Sequence, residues 1–459
     1  MNAGRSHRRL ALLVVALALV AARVWTVAAK ADASKTGTSK ADALPSSDSK
    51  SSDSKSSDSK AGDSKASAGE PRPYTVGMSG AFNGPVAGLG IEVYRGAAAY
   101  LTKINAEGGV HGRPVELKVS DDGYEPDRAA RNTINFVDKD KLHILFGYVG
   151  TPTTARVLPL LELYSEQHVY LVAAFTGGRI LRQPPYGKDV FNLRASYEEE
   201  IAGLVEHFLA QKRHRFALLY QIDAYGRTGW QGLRLALGAH DMKPVGEATY
   251  RRGMSFEASM QRQVDVLKAA KPDVVICVAT YAAAAAFIRD ARNGGWNVPI
   301  ANLSFADSDH LIARLDAIEA AGGGQAGRYT GHLINSQVVP SIEDTSLPVV
   351  REYRAAMDQY DPPAPSVADP KYTKLRYAHS SLEGYLDAKL LVAALRKMSP
   401  NASPDTIPSV FESLHDVDLG LDRPISFGPK DHQGLHTVFY TTVRDGHGVP
   451  LTDWSEFGQ

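Results

Sequence analysis

Two short stretches carry groups suited to holding a small polar molecule. GYVGTPTT (147–154) runs out of an apolar segment into a helical pattern, and AAFTGG (173–178) closes the next apolar segment. Hydroxyls beside free amides at a helix N-terminus make a seat for a carboxylate or another acceptor group. Thr151 or Thr153 would serve equally well as a helix cap and nothing more. Turns of this kind on adjacent strands converge in space, which favours a site. Upstream, SGAFNGPVAGLG (79–90) has glycines that let a backbone pass close to a ligand or a helix start. Downstream, Asp223-Ala-Tyr-Gly226 and Thr280-Tyr281 each follow an apolar segment. A tyrosine there offers a pocket both a ring and a hydroxyl, although each one taken singly reads as surface or core.

Other chemistry is missing. Gly88-Leu-Gly90 lacks the glycine three residues on that a dinucleotide fingerprint needs. HExxH, CxxC, a P-loop and a GxSxG elbow are all absent, so no catalytic set emerges. Asp121-Asp-Gly-Tyr-Glu-Pro-Asp127 looks like a calcium loop, but Asn132 stands where an EF-hand needs glutamate. Cys277 is the single cysteine and lies in an apolar run, which excludes an internal disulfide framework and reads as packed rather than reactive. With 51 basic and 51 acidic residues the formal charge is zero, so no global field draws the chain to nucleic acid. Neither a cofactor nor a metal is expected.

The elements that must position these loops alternate. Short apolar runs at 74–78, 115–120, 142–147, 169–173, 216–220, 245–250 and 274–278 read as strands. Between them lie amphipathic helical patterns, among them one with Val93, Ala97, Leu101 and Ile104 on one face and others over 151–164, 256–269 and 282–293. Repeated βα units predict parallel sheets covered by helices on both faces. The strands are too many for one sheet, so the expectation is an α/β protein of two doubly wound lobes. Ligands of such sheets bind beyond the carboxyl ends of the strands.

The N-terminal part reads differently. Arg5, Arg8 and Arg9 precede an apolar run over 10–22, followed by small residues to Ala29. This is the pattern of a secretory signal peptide over 1–29, with an uncleaved anchor as the alternative. No cysteine lies near the cleavage region, so a lipoprotein is not expected and a soluble periplasmic product is. Residues 30–72 are nearly all Ser, Ala, Asp, Lys and Gly, with three copies of SSDSK over 46–60. So little apolar surface cannot offset the entropy of ordering, and a disordered tether is expected.

SGAFNGPVAGLG (79–90), INAEGGVHGRPVELKVSDDGYEPDRA (104–129), FGYVGTPTT (146–154), YQIDAYGRTG (220–229), LPVVREY (347–353), SLEGYLDAKLLVAAL (381–395) and FGPKDHQG (427–434) closely resemble, in order, the periplasmic leucine/isoleucine/valine-binding protein family. The resemblance runs from about Tyr74 to the C-terminus. It implies a type I periplasmic-binding fold, with 73–194 plus 338–420 in one lobe and 195–337 plus 421–459 in the other. The crossovers fall near 193–196, 333–339 and 419–425. It also implies a small-molecule ligand trapped by lobe closure and delivered to the permease subunits of an ABC importer, or reported to a separate membrane kinase or chemoreceptor.

Carried over by position, Thr151 receives the ligand's carboxylate, and the Ala174 carbonyl with the Thr176 hydroxyl and amide completes the anchor. Tyr225 and Tyr281 close from the second lobe, while Leu89, Val149 and Phe175 line the side-chain pocket. The amino-acid-binding members place a glutamate for the ligand's ammonium where this chain has Ser304, followed by Phe305. Three readings follow: the ligand lacks an α-ammonium, or Asp223, Asp307 or Asp309 supplies the charge, or the matching position lies a few residues away. An ammonium buried without its carboxylate costs roughly several kcal/mol. The aromatic surface that Phe175 and Phe305 would add to the pocket favours the first reading.

Overall fold

The computed structural model describes residues 72–322 and 327–458. The leader expected over 1–29, and all but the last residue of the tether expected over 30–72, lie outside the described residues.

The first half alternates β1 (Tyr74–Gly80), α1 (Ala87–Ala106), β2 (Val115–Asp121), α2 (Pro126–Ile134), β3 (Ile144–Phe146), α3 (Thr151–Leu163), β4 (Tyr170–Val172) and β5 (Val190–Phe191). The second unit repeats the plan: α4 (Tyr197–Ala210), β6 (Phe216–Gln221), α5 (Ala224–Gly238), β7 (Gly246–Tyr250), α6 (Gln261–Ala269), β8 (Val274–Val278), α7 (Tyr281–Asn293), β9 (Ile300–Asn302), α8 (Ser308–Gly322) and β10 (Leu333–Gln337). Then come α9 (Pro348–Tyr360), α10 (His379–Lys397), α11 (Ile407–Glu412), β11 (Phe439–Arg444) and β12 (His447–Pro450).

The first sheet runs β2-β1-β3-β4-β5, all parallel. The second runs β12-β11-β10-β9-β8-β6-β7, parallel from β7 to β10, with β11 and β12 added antiparallel. Both parallel parts therefore follow one doubly wound order, whose switch points fall between β1 and β3 and between β6 and β8. Crevices open there, just beyond the loops that precede Leu89, Thr151, Tyr225 and Tyr281.

Local chemistry explains most of the elements. β8 is buried on both faces, as an interior parallel strand must be, and its apolar run VVICV leaves it no polar side. A capping box starts α4: Ser196 Oγ accepts from the Glu199 amide and Glu199 returns the bond to the Ser196 amide. α1 and α10 pack almost backbone to backbone, because a Cβ on Gly96 would lie 1.7 Å from the Ser381 carbonyl and one on Gly384 2.1 Å from the Val93 carbonyl.

Two expectations shift. The helix expected from Phe256 begins only at Gln261. Side chains of α7 claim the preceding backbone: Arg289 donates to the Phe256 and Ala258 carbonyls, and Asp290 accepts from the Met260 amide. The third crossing also moves. Ile425, Phe427 and Leu435 pack with Val76 and Phe191 in the core beside the first sheet, and the chain joins the second sheet only at β11. The crossing thus lies over 435–439 rather than near 419–425, and 421–435 belongs with the first lobe. The β11–β12 hairpin turns on Asp445-Gly446, both at positive φ, a dipeptide suited to such turns. No helix among the described residues is long and apolar enough to cross a membrane.

Candidate functional site

At the first switch point the threonines divide their work. Thr153 and Thr154 donate back to the Gly150 carbonyl at 2.8 and 2.7 Å, tying the loop to the start of α3. Gly150, at φ 97°, precedes the helix without any side-chain cap, and a Cβ there would strike the Tyr124 ring at 2.2 Å. Thr151 is not the cap either. Its hydroxyl shares a 2.7 Å hydrogen bond with the Thr176 hydroxyl, which also accepts from the Gly178 amide at 3.1 Å. The Ala174 carbonyl and Thr176 amide, both expected to hold the ligand, bond to each other at 2.7 Å. Val149 pairs with Phe175 across the gap between the turns, and both are buried.

At the second switch point Asp223 begins α5. It accepts from the Tyr225 amide at 3.0 Å and from Gln221 Nε2 at 2.7 Å, and pairs with Arg252 at 3.4 Å. The Tyr225 ring is fully buried, and its hydroxyl has no hydrogen-bond partner among the described residues. That burial pushes the phenol well above its ordinary range. Tyr281 opens α7, accepts from the Gly88 amide at 3.3 Å beside buried Leu89, and stacks on His310 at 5.0 Å.

Phe305 joins the two sides. Its ring centroid lies 5.6 Å from Phe175, 4.9 Å from Tyr225, 6.0 Å from Tyr124 and 6.4 Å from Tyr197. Ser304 holds Glu200: its amide and its hydroxyl each donate to that carboxylate at 2.8 Å. Arg194 donates to Ser304 Oγ and pairs with Glu200 at 3.4 Å and Glu383 at 3.3 Å. Burial works against the Arg194 charge, but Glu383, Tyr197, Glu200 and Asp387 outweigh it and raise its pKa. Burial likewise raises the carboxyls of Glu383 and Asp387, with Arg194 pulling the other way.

The faces meet through further contacts. Gln221 Nε2 donates to Tyr124 Oη at 3.2 Å, and Arg252 pairs with Glu125 at 3.0 Å. His310 lies 2.7 Å from Asp307 and 2.8 Å from Tyr372 Oη, which donates to Glu92 at 2.8 Å. His379 contacts Asp309 at 2.9 Å. Sequence reasoning did not single out Tyr124, Arg194, Tyr197 or Glu200. Tyr124 sits in a loop after β2, where the strand-end rule would have found it. For Arg194 and Glu200 no local signal exists, because apart from each other their partners come from α10, from the turn after β9 and from β10.

A family model described as "Periplasmic binding protein" matches residues 73–448. The chain belongs to the periplasmic binding protein family. A crystal structure of a possible leucine/isoleucine/valine-binding protein from Rhodopirellula baltica is 30% identical with a TM-score of 0.74, over 86% of this chain and 100% of that one. A branched-chain amino acid ABC transporter protein from Thermus thermophilus with bound valine shares the fold at a TM-score of 0.69 and 18% identity, over 84% and 96% of the two chains. An "Amino acid binding protein" of Pseudomonas aeruginosa is 24% identical over 282 residues, 61% of this chain and 71% of that one. The type I fold expected of the family is therefore the fold of this chain. Family membership places it among extracytoplasmic solute-binding proteins.

Proposed function

We propose that this family member captures a small carboxylate-bearing ligand between the carboxyl ends of its two parallel sheets and hands it to the permease subunits of an ABC importer. The observation that carries this is the Thr151–Thr176 hydroxyl pair at the uncapped start of α3. No side chain caps this helix, and one hydroxyl of the pair keeps its hydrogen free for an anion that the helix start favours. Thr151 and Thr176 anchor the carboxylate, with the Ala174 carbonyl beside them as an acceptor for a ligand donor; Leu89, Val149, Phe175 and Phe305 bound the ligand's apolar part. Tyr225, Tyr281 and Ser304 belong to the face that closes. A ligand touching both faces stabilises the closed form, with no covalent step. The leader exports the chain to the periplasm.

A thermal-shift screen against branched-chain amino acids, aliphatic and aromatic carboxylates, amides and polyols tests this. Ligand at about a hundred times its Kd adds roughly 2.7 kcal/mol of stability. A shift with carboxylates is expected. A response to amides or polyols alone would sink the anchor.

A further inference from the structure

A chain of polar contacts runs from the first lobe to the second through His310. It starts on α1, where Glu92 and Arg95 hold down the 361–378 connection between α9 and α10, two helices of the core beside the first sheet. Arg95 donates to the Pro362 and Leu375 carbonyls at 2.8 and 2.6 Å and pairs with Glu92 Oε2 at 2.7 Å, both side chains buried. Glu92 Oε1 accepts from the Leu375 amide at 3.1 Å and from the Tyr372 hydroxyl at 2.8 Å. That hydroxyl gives its single hydrogen to Glu92, so it can only accept from His310 Nε2, 2.8 Å away at the start of α8. His310 Nδ1 faces another acceptor, Asp307 Oδ2 at 2.7 Å, to which Ser380 Oγ also donates at 3.3 Å. Asp307 is buried, and its other oxygen has no partner among the described residues. With an acceptor before each ring nitrogen, the arrangement is complete only for an imidazolium.

The remaining neighbours fit that charge. The ring stacks on Tyr281, whose hydroxyl accepts from the Gly88 amide, and a Cβ on Gly88 would lie 2.5 Å from His310 Nε2. Asp309 stands beside it, paired with His379 of α10 at 2.9 Å, and Arg314 acts on Tyr281 from the far side. Burial disfavours the His310 charge, but Asp307, Glu92 and Asp309 outweigh it.

We infer that His310 is a proton-dependent latch of lobe closure: its imidazolium ties the second lobe to Tyr372 of the first, and closing takes up a proton from water at this ring. Opening leaves His310 with Asp307 and Asp309 but removes Tyr372 and Glu92, so the open form holds the proton less tightly. The latch therefore favours closure fully below the open-form pKa and loses that effect as pH climbs through the closed-form value.

Pulsed EPR distance measurement on the ligand-free full chain tests this, with spin labels at Arg131→Cys on the first lobe and Gln231→Cys on the second. Both positions are exposed, and the single native cysteine, Cys277, is buried. The fraction of the short, closed distance is expected to fall several-fold from about pH 6 to about pH 9. His310→Gln should flatten most of that response. So should Tyr372→Phe, which removes the first-lobe half of the latch and leaves His310 on Asp307. A wild-type distribution that does not change with pH overturns the inference. A response that both variants keep also overturns it and assigns the pH dependence to His379. If His310→Gln does not fold, Tyr372→Phe decides. No ligand enters the experiment, so its outcome is independent of the carboxylate reading above.

Discussion

On the first-sheet side of the cleft the polar groups are small and locally held, whereas on the second-sheet side they are large and held from afar. Thr151, Thr176 and Gly178 are joined by a chain of short bonds between neighbouring turns. Thr153 and Thr154 lock the same loop from within its own helix. Across the cleft, Tyr281 finds its partner at Gly88, Gln221 at Tyr124, and Phe305 packs on Phe175, all contributed by the opposite side. One face is thus preorganised, and the other is completed only when the two meet. A preformed anchor keeps the ordering cost of binding low, and a face built from cross-contacts makes closure depend on what lies between.

The sharpest way to break this contrast is through Arg194, which touches both sides. Arg194→Met leaves buried Glu200 without its cation, and denaturant unfolding should show a loss of about 3–5 kcal/mol. A loss below about 1 kcal/mol would mean that the pair does not couple the faces. Thr151→Val should lower ligand affinity by about 1–3 kcal/mol with the fold intact. Unchanged affinity would reduce the first face to a helix start.

Tyr225→Phe removes a buried hydroxyl that has no partner among the described residues. Stability without ligand should hold or rise slightly, while affinity falls by about 0.5–1.5 kcal/mol. A clear drop in melting temperature would show that the hydroxyl is bonded within the protein and does not await a ligand. The smallest effect is a pH dependence at the contact between the faces. Burial disfavours the His310 charge, but Asp307, Glu92 and Asp309 outweigh it and raise its pKa above 6.5. A raised pKa contributes stability that is complete below pH 6.5 and is lost as pH climbs through the folded-state value. The melting-temperature difference between wild type and His310→Gln should therefore shrink as the pH rises from about 6 to about 9. A constant difference would leave His310 a packing residue.

Much of this contrast is legible in the residues themselves. Thr151, Thr176 and Tyr225 follow apolar runs whose length marks them as strands, and doubly wound sheets bind beyond strand ends. The family resemblance added Leu89, Val149 and Ser304. Less legible was where the chain changes lobe: Ile425 and Leu435 are apolar whichever core receives them. The helix start at Gln261 was hidden because Arg289 and Asp290, which hold the preceding turns, lie on the next helix.

By itself the sequence determined the alternation of strands and helices, the two doubly wound units and the hydroxyl-bearing turns, because periodicity, capping and turn chemistry act over a few residues. Only the tertiary structure decided that Thr151 binds Thr176 rather than capping its helix, that Phe305 closes the aromatic group, and that Arg194 answers Glu200 and Glu383. Those outcomes depend on which groups burial brings within about 3–4 Å of one another, where a missing partner is costly, and no local spacing records that.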